Sequence, residues 1–152
     1  MCDGESVPTI HASTKVAAPV AEVFGYVADY RNATTLVQGL RTFEPSGRKT
    51  HGKGARFKAV IEIASKRYES ILAITIYEPD QSIGWAPASG AGHSLVWRFE
   101  PDGDGSTTSV DFELGYEPPR GVAGAVLGFT IDSMLRSKAR GTAAALKREF
   151  ER

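Results

Sequence analysis

The sequence contains very little cysteine and histidine, the residues that most often bind metals. Cys2 is the only cysteine, so no intramolecular disulfide is possible, and its terminal position argues against a nucleophile. The histidines His11, His51 and His93 have no cysteine or carboxylate at the spacing of metal ligands. The glycines form neither a phosphate-binding loop nor a dinucleotide fingerprint, and the serine elbow of hydrolases is missing. We therefore expect no metal and no cofactor.

The sequence also lacks an excess of either charge, since it has 18 basic and 18 acidic residues. Such a balance creates no global field that would gather nucleic acid or anionic lipid. A local exception is the basic stretch, which consists of Arg48, Lys49, Lys53, Arg56 and Lys58. A solvated surface is the favoured interpretation of these charges. A regulatory module that meets an anionic partner through the basic stretch is an alternative.

Long apolar runs are missing as well. The most apolar segment is interrupted by Thr130, Asp132 and Ser133 and is shorter than a bilayer demands, so we expect no membrane span. The first twenty residues have charges and no long apolar core, unlike a secretory signal. We expect a cytoplasmic protein, either a monomer or a homodimer. The length of 152 residues is typical of a single domain. We expect residues 1–6 of this domain to be disordered.

A long helix is predicted over residues 121–152, because no proline follows Pro119 and apolar residues recur at helical spacing. The apolar positions are Val126, Leu127, Ile131, Met134, Leu135, Thr142, Ala145, Leu146 and Phe150. One face of this helix should therefore be buried. Lys138 and Gly141 lie on or beside that face and fit tight packing poorly, which suits a helix that borders a cavity.

Short helices and then strands are predicted upstream of this helix. Pro19 suits the first turn of a helix that ends near Asp29, and residues 30–36 form a second short helix. From Leu40 onward the apolar period changes to two, with turns at the spacing of an antiparallel meander. The predicted strands are residues 8–16, 40–45, 56–64, 67–78, 82–86, 93–100 and 107–117, with a loop at 87–92. A sheet of about seven strands with one apolar face buries that face by curling around the helix, which is an α+β architecture.

The order of these parts resembles the START-like, or helix-grip (SRPBCC), superfamily, specifically its polyketide cyclase/dehydrase-like branch. The resemblance covers about Ile10 to Phe150. Its carriers are Ala18 to Phe24 leading to Asp29-Tyr30, Gly52 to Phe57, Tyr77 to Pro79, Trp97 to Pro101 with Gly103 to Thr107, and the terminal helix. The resemblance implies a cavity between sheet and helix that holds a lipid-like or polyketide-like molecule. Relatives often carry a tryptophan in the second short helix, where this chain has Ala33 to Val37, so the shape of that end is not carried over.

The side chains on the inward faces of the strands and the helix are the candidate ligand-binding residues. They are Phe57, Ala59, Ile61, Tyr68, Ser70, Leu72, Trp85, His93, Leu95, Trp97, Phe112, Leu114, Tyr116, Leu127, Ile131, Met134 and Leu135. On the strand from 67 to 78, Ile74 and Ile76 are also predicted to face inward. Tyr68, Ser70, Tyr116 and Thr130 offer hydroxyl groups to a ligand or to the backbone.

Two functions remain open for such a cavity. Binding of a small hydrophobic molecule is favoured, because the sequence has no nucleophile or metal constellation. The alternative is an enzyme of the polyketide cyclase or dehydratase type that uses a few polar cavity residues. His93 and Tyr116 are its candidate catalysts, since strand alternation places His93 on the face of Leu95 and Trp97 and the pKa of histidine lies near neutrality.

Overall fold

The computed structural model describes residues 9–63, 65–90, 93–116 and 122–151. Side chains are described over the same ranges except at residues 63, 89, 90, 93, 116 and 122–134. The strands are β1 (Thr9–Val16), β2 (Leu40–Pro45), β3 (Arg56–Ile63), β4 (Lys66–Glu78), β5 (Ser82–Gly90), β6 (His93–Asp102) and β7 (Thr107–Tyr116). The helices are α1 (Val20–Ala28), a 3-10 turn (Tyr30–Asn32), α2 (Ala33–Leu36) and α3 (Val122–Glu149). The predicted disorder of residues 1–6 lies outside the described residues.

All seven strands form one antiparallel sheet in the order β1-β7-β6-β5-β4-β3-β2. The strands β2 to β7 follow one another as a meander, and β1 pairs with β7 at the other end, from Thr9↔Gly115 to Val16↔Thr108. The sheet curls so that one face packs against the helices. The predicted helix-grip architecture of a curled sheet and a long terminal helix is confirmed.

The core lies between the inward face of the sheet and the helices. Alternation on β6 and β7 is regular, so Leu95, Trp97, Phe112 and Leu114 are buried while the intervening charged side chains reach solvent. Trp97 packs on Phe112 with ring centroids 4.5 Å apart. Over the described part of α3 the buried face consists of Leu135, Ala139, Thr142, Ala143, Ala145 and Leu146. Burial of that face attaches the helix to the sheet.

Strand β4 contains an irregularity that the alternation did not predict. Its pairing register with β5 shifts between Ile74 and Ile76. The prediction that Ile76 faces inward is therefore wrong: its Cδ1 lies 3.3 Å from the position that a Cβ of Gly84 would occupy, on the outer face, and Tyr77 turns toward Phe24 instead. One extra residue in a strand moves every later side chain to the opposite face.

Strand β5 is longer than predicted, since a loop was expected to begin at Pro87. The strand continues to Gly90 because it remains paired with β4, at Leu72↔Pro87 and Ser70↔Gly90. Its ladder with β6 ends at Trp85↔Leu95. Pro87 thus lies where β5 has one neighbour only, and the missing N–H of proline is tolerated there.

Candidate ligand-binding site

A small apolar cavity lies under the short helices, and we call it the tryptophan cavity. Its volume is about 20 Å³. It is lined by Val27, Ala33, Leu36, Val37, Leu40, Phe43, Trp85, Leu95 and Trp97. Side chains from α1, α2, β2, β5 and β6 therefore enclose it. The two tryptophan rings contribute the only side-chain polar atoms of this lining.

One of those polar atoms is unpaired. Trp85 is 5% exposed, and its Nε1 has no hydrogen-bond partner within the described part of the chain. Phe43 packs edge-on against the ring, with centroids 6.3 Å apart. A buried donor without an acceptor costs about 1–3 kcal/mol, and such groups are rare in native proteins. The indole N–H is thus a donor that faces an apolar environment.

A second cavity, the lysine cavity, lies between the sheet and α3 and also measures about 20 Å³. Its lining residues are Val37, Gln38, Ile61, Leu95, Phe112, Leu114, Leu135, Lys138, Ala139 and Thr142. The apolar members are buried except Val37, which is partly buried like Lys138, and Gln38 is exposed. This cavity therefore has an apolar floor and a polar rim.

The α2–β2 connection (residues 37–39) closes the lysine cavity against α3. The backbone N–H of Gln38 donates to Thr142 Oγ1 at 3.1 Å. The Gln38 side chain lies over Gly141, where a Cβ would come within 3.0 Å of Gln38 Cγ. Gly39 has a φ of +89°, and Lys138 Nζ lies 3.1 Å from where its Cβ would be. Two glycines thus permit close contact between the connection and the helix.

Val37 and Leu95 line both cavities, so they form the partition between them. Each cavity has room for about one water molecule. The interior beneath the described part of α3 is consequently almost filled. A molecule that spans both cavities would therefore have to displace a side chain of this partition.

A larger groove of about 820 Å³ lies open on the outer face of the sheet. Two of its charged side chains form ion pairs: Lys15 lies 2.9 Å from Asp102, and Arg98 lies 2.7 Å from Glu113. Sites for small molecules enclose most of the ligand surface. We therefore locate the candidate site in the interior, in spite of its smaller volume.

The structure brings several of the predicted ligand-binding residues together around these cavities. They are Ile61, Trp85, Leu95, Trp97, Phe112, Leu114 and Leu135. Phe57, Ala59, Ser70 and Leu72 are buried in the core without lining either cavity, and Tyr68 is partly buried. The side chains of His93, Tyr116, Leu127, Ile131 and Met134 lie outside the described residues.

The pattern of inward strand faces missed the contribution of the short helices. Val27, Ala33, Leu36 and Val37 line the tryptophan cavity together with β2. Burial of α2 against β2 has no periodic signal, because α2 has four residues only. The segment from Ala33 to Val37, where relatives often carry a tryptophan, is thus part of the wall of the tryptophan cavity. Ala139 was missed for a different reason, since alanine contributes little to an apolar stripe.

Two carboxyl groups elsewhere in the described chain have shifted pKa values. Hydrogen bonds from Arg31 lower the pKa of Asp29, and those from Ser106 lower the pKa of Asp104. Neither carboxyl lines either cavity. Within the described residues no group of three or more His, Cys, Asp or Glu side chains is arranged to hold a metal.

The fold and the interior cavities define a protein of the helix-grip class. A family model described as polyketide cyclase / dehydrase and lipid transport matches residues 8–151. The chain belongs to this family, and the START-like resemblance is confirmed. No functionally curated protein matches the chain. No helix of the described chain has the length and apolar character needed to cross a membrane.

Several solved structures share the fold at low sequence identity. The aromatase/cyclase Zhui from Streptomyces sp. R1128 is 12% identical, with a TM-score of 0.80 over 97% of this chain and 95% of that one. A protein from Thermus thermophilus, TTHA0849, is 17% identical, with a TM-score of 0.80 over 95% and 97%. A START superfamily protein from Mycobacterium smegmatis is 17% identical, with a TM-score of 0.65 over 94% and 97%. These similarities establish the fold.

Proposed function

We propose that this protein binds a small apolar or amphipathic molecule that carries a hydrogen-bond acceptor, in the space formed by the tryptophan and lysine cavities. The observation that carries the proposal is the buried indole N–H of Trp85, which lacks a partner among the described residues and belongs to a cavity wall. A ligand oxygen at this point would satisfy the donor and offset its desolvation.

The ligand reaches this donor when the partition between the cavities opens. Val37 belongs to the α2–β2 connection, which is attached to α3, within the described residues, by the hydrogen bond from Gln38 N–H to Thr142 Oγ1. Displacing the Val37 side chain joins the two spaces into one channel. The family description, which includes lipid transport, supports a ligand with a large apolar part.

Native mass spectrometry tests the binding function directly. The purified chain is incubated with a hydrophobic extract and desalted, and its mass is compared with that of a Val37→Trp variant, whose larger ring fills the partition. We expect a retained small molecule on the wild type and less on the variant. A wild-type chain that stays bare across extracts contradicts the proposal.

Two matched compounds isolate the role of Trp85. 2-Acetylnaphthalene carries a carbonyl acceptor, whereas 2-ethylnaphthalene has nearly the same shape without one. Calorimetric titration should show about fivefold tighter binding of the ketone by the wild type, since one hydrogen bond contributes about 1 kcal/mol. In Trp85→Phe this preference should disappear. Equal preference in both proteins would show that the indole N–H does not contact the ligand.

A second candidate function is cyclisation or dehydration of a polyketide-like substrate. The observation that favours it is the pairing of His93 with Tyr116 as direct partners across the β6–β7 ladder. A histidine and a phenol at neighbouring positions suit proton transfer to and from an enol. His93→Ala and Tyr116→Phe should abolish turnover of a poly-β-ketone and leave thermal stability nearly intact. Turnover that survives both substitutions rules these residues out as catalysts.

A further inference from the structure

We infer that the ligand is an amphipathic anion, whose carboxylate or other oxyanion pairs with Lys138 at the rim of the lysine cavity. This inference rests on the proposed function, because it names the chemical class that the same interior space would select. It concerns specificity and does not require catalysis.

Lys138 is a cation without a partner. Within the described residues it forms no ion pair and no hydrogen bond, although it is partly buried. Lys147 on the same helix is exposed and lies 3.8 Å from Glu151. Removing an ammonium group from water is unfavourable unless an anion or an acceptor replaces the lost hydration. A partly buried lysine therefore needs a partner more than an exposed one.

The described residues around Lys138 do not supply this anion. The carboxylate of Glu62, the residue across Gly39 from Lys138, is engaged by Arg41 Nε at 2.7 Å. Among the described side chains that line the lysine cavity none is acidic, and the polar members are Gln38, Lys138 and Thr142. Thr142 Oγ1 already accepts from the Gln38 backbone. The charge of the ammonium is thus left for a group from outside the chain.

The position of Lys138 suits the head group of an amphipathic molecule. Lys138 lines the lysine cavity together with the buried residues Leu135 and Ala139, and its Nζ lies 3.1 Å from the position that a Cβ of Gly39 would occupy. An apolar ligand body would lie on Phe112 and Leu95, with its anionic end at the solvent-exposed rim beside Gln38. Desolvation of the anion is limited there, so the ion pair contributes to net affinity.

The two cavities present donors and few acceptors, which favours the same ligand class. Trp85 offers an N–H at one end, and Lys138 offers an ammonium at the other. A molecule with oxygen acceptors at both ends satisfies both groups, whereas an amine would be repelled by Lys138.

2-Naphthoate and 2-acetylnaphthalene test this inference, because they share one shape and differ in charge. We expect Lys138→Met to weaken 2-naphthoate binding at least about tenfold, since hydrogen bonds to charged groups are the stronger kind. Binding of 2-acetylnaphthalene should change by less than about twofold. Lys147→Met on the outer face of α3 is the matched control and should alter neither. Calorimetric titration gives the dissociation constants, and thermal unfolding verifies that each variant is folded.

The outcomes separate the two proposals. If the wild type binds neither compound, the proposed function fails and the anion inference fails with it. If 2-acetylnaphthalene binds but Lys138→Met affects both compounds alike or neither, only the anion inference is overturned. The anion inference is supported if Lys138→Met weakens the binding of 2-naphthoate alone and if added salt weakens the binding of 2-naphthoate by the wild type.

Discussion

Because the α2–β2 connection contacts α3 closely, we expect a single added methyl group at Gly39 to lower the stability of the fold strongly. Gly39 has a φ of +89°, which is unfavourable for any residue with a Cβ. A Cβ built on it would lie 2.9 Å from the backbone oxygen of Glu62 and 3.1 Å from Lys138 Nζ. The lysine side chain can move aside, but the carbonyl group belongs to β3. Gly39→Ala must therefore displace backbone.

The cost of this substitution has two parts. The left-handed conformation of an L-residue costs about 1–2 kcal/mol. The clash also strains the hydrogen bond from Glu62 N–H to Gly39 O, which is 2.8 Å long and whose loss costs about 1 kcal/mol. We expect Gly39→Ala to lower the free energy of unfolding by about 2–3 kcal/mol. The midpoint of thermal unfolding then falls by roughly 4–12 °C for a chain of this size.

Urea denaturation followed by circular dichroism measures the effect, with Gly52→Ala as the control. Gly52 also has a positive φ, of +78°, but the nearest atom to its Cβ position is Lys49 Cε at 3.9 Å. Gly52→Ala should lower the free energy of unfolding only by the conformational part of the cost, about 1–2 kcal/mol. Equal losses in the two variants would refute the close contact between Gly39 and Glu62.

Three further substitutions test other contacts of the fold. Thr108→Val removes a buried donor to the Ala18 carbonyl, at 2.8 Å, and should lower the unfolding free energy by about 1–3 kcal/mol in urea titrations; an unchanged midpoint would show that this carbonyl finds another donor. Leu146→Ala creates a cavity under α3, at a fully buried position, and should cost about 2–5 kcal/mol by the same assay, whereas a loss under about 1 kcal/mol would mean that the helix repacks. Hydrogen bonds from Arg31 lower the pKa of Asp29, so folding gains stability from this carboxylate above its ordinary pKa and loses it as the pH falls through the lowered value. Asp29→Asn should thus cost less than about 1 kcal/mol at pH 7 and less still as the pH falls below the ordinary pKa of aspartate, and a pH-independent difference would contradict the assignment.

The strands were predictable where each strand alternates without interruption. On β6 and β7 the bulky residues Leu95, Trp97 and Phe112 recur at every second position, and the turn between these strands is rich in glycine and aspartate. The alternation failed in β4, where the register shift between Ile74 and Ile76 depends on pairing with β5. A register shift depends on how two strands pair, so the alternation within β4 alone carries no sign of it.

The candidate site was predictable on its sheet side only. The bulky residues of the sheet predict an apolar interior, but they do not indicate how much of that interior the short helices fill. Val37 became a partition between two cavities through the path of the α2–β2 connection, which a hydrogen bond fixes to a residue 104 positions later. Lys138 was conspicuous in the sequence as a charge beside an apolar stripe. Its neighbour Gly39 became evident only in the folded chain.

The pairing of β1 with β7 has a consequence for how the chain folds. His11 and Asp111 lie close together across this pair although they are 100 residues apart in the sequence. Closing so long a loop costs entropy that only the completed sheet and α3 recover, and topologies rich in such pairs fold slowly. During synthesis β1 leaves the ribosome first and must wait for its partner, which is the last strand to emerge. Until then the meander has an open edge, and a second nascent chain could pair there.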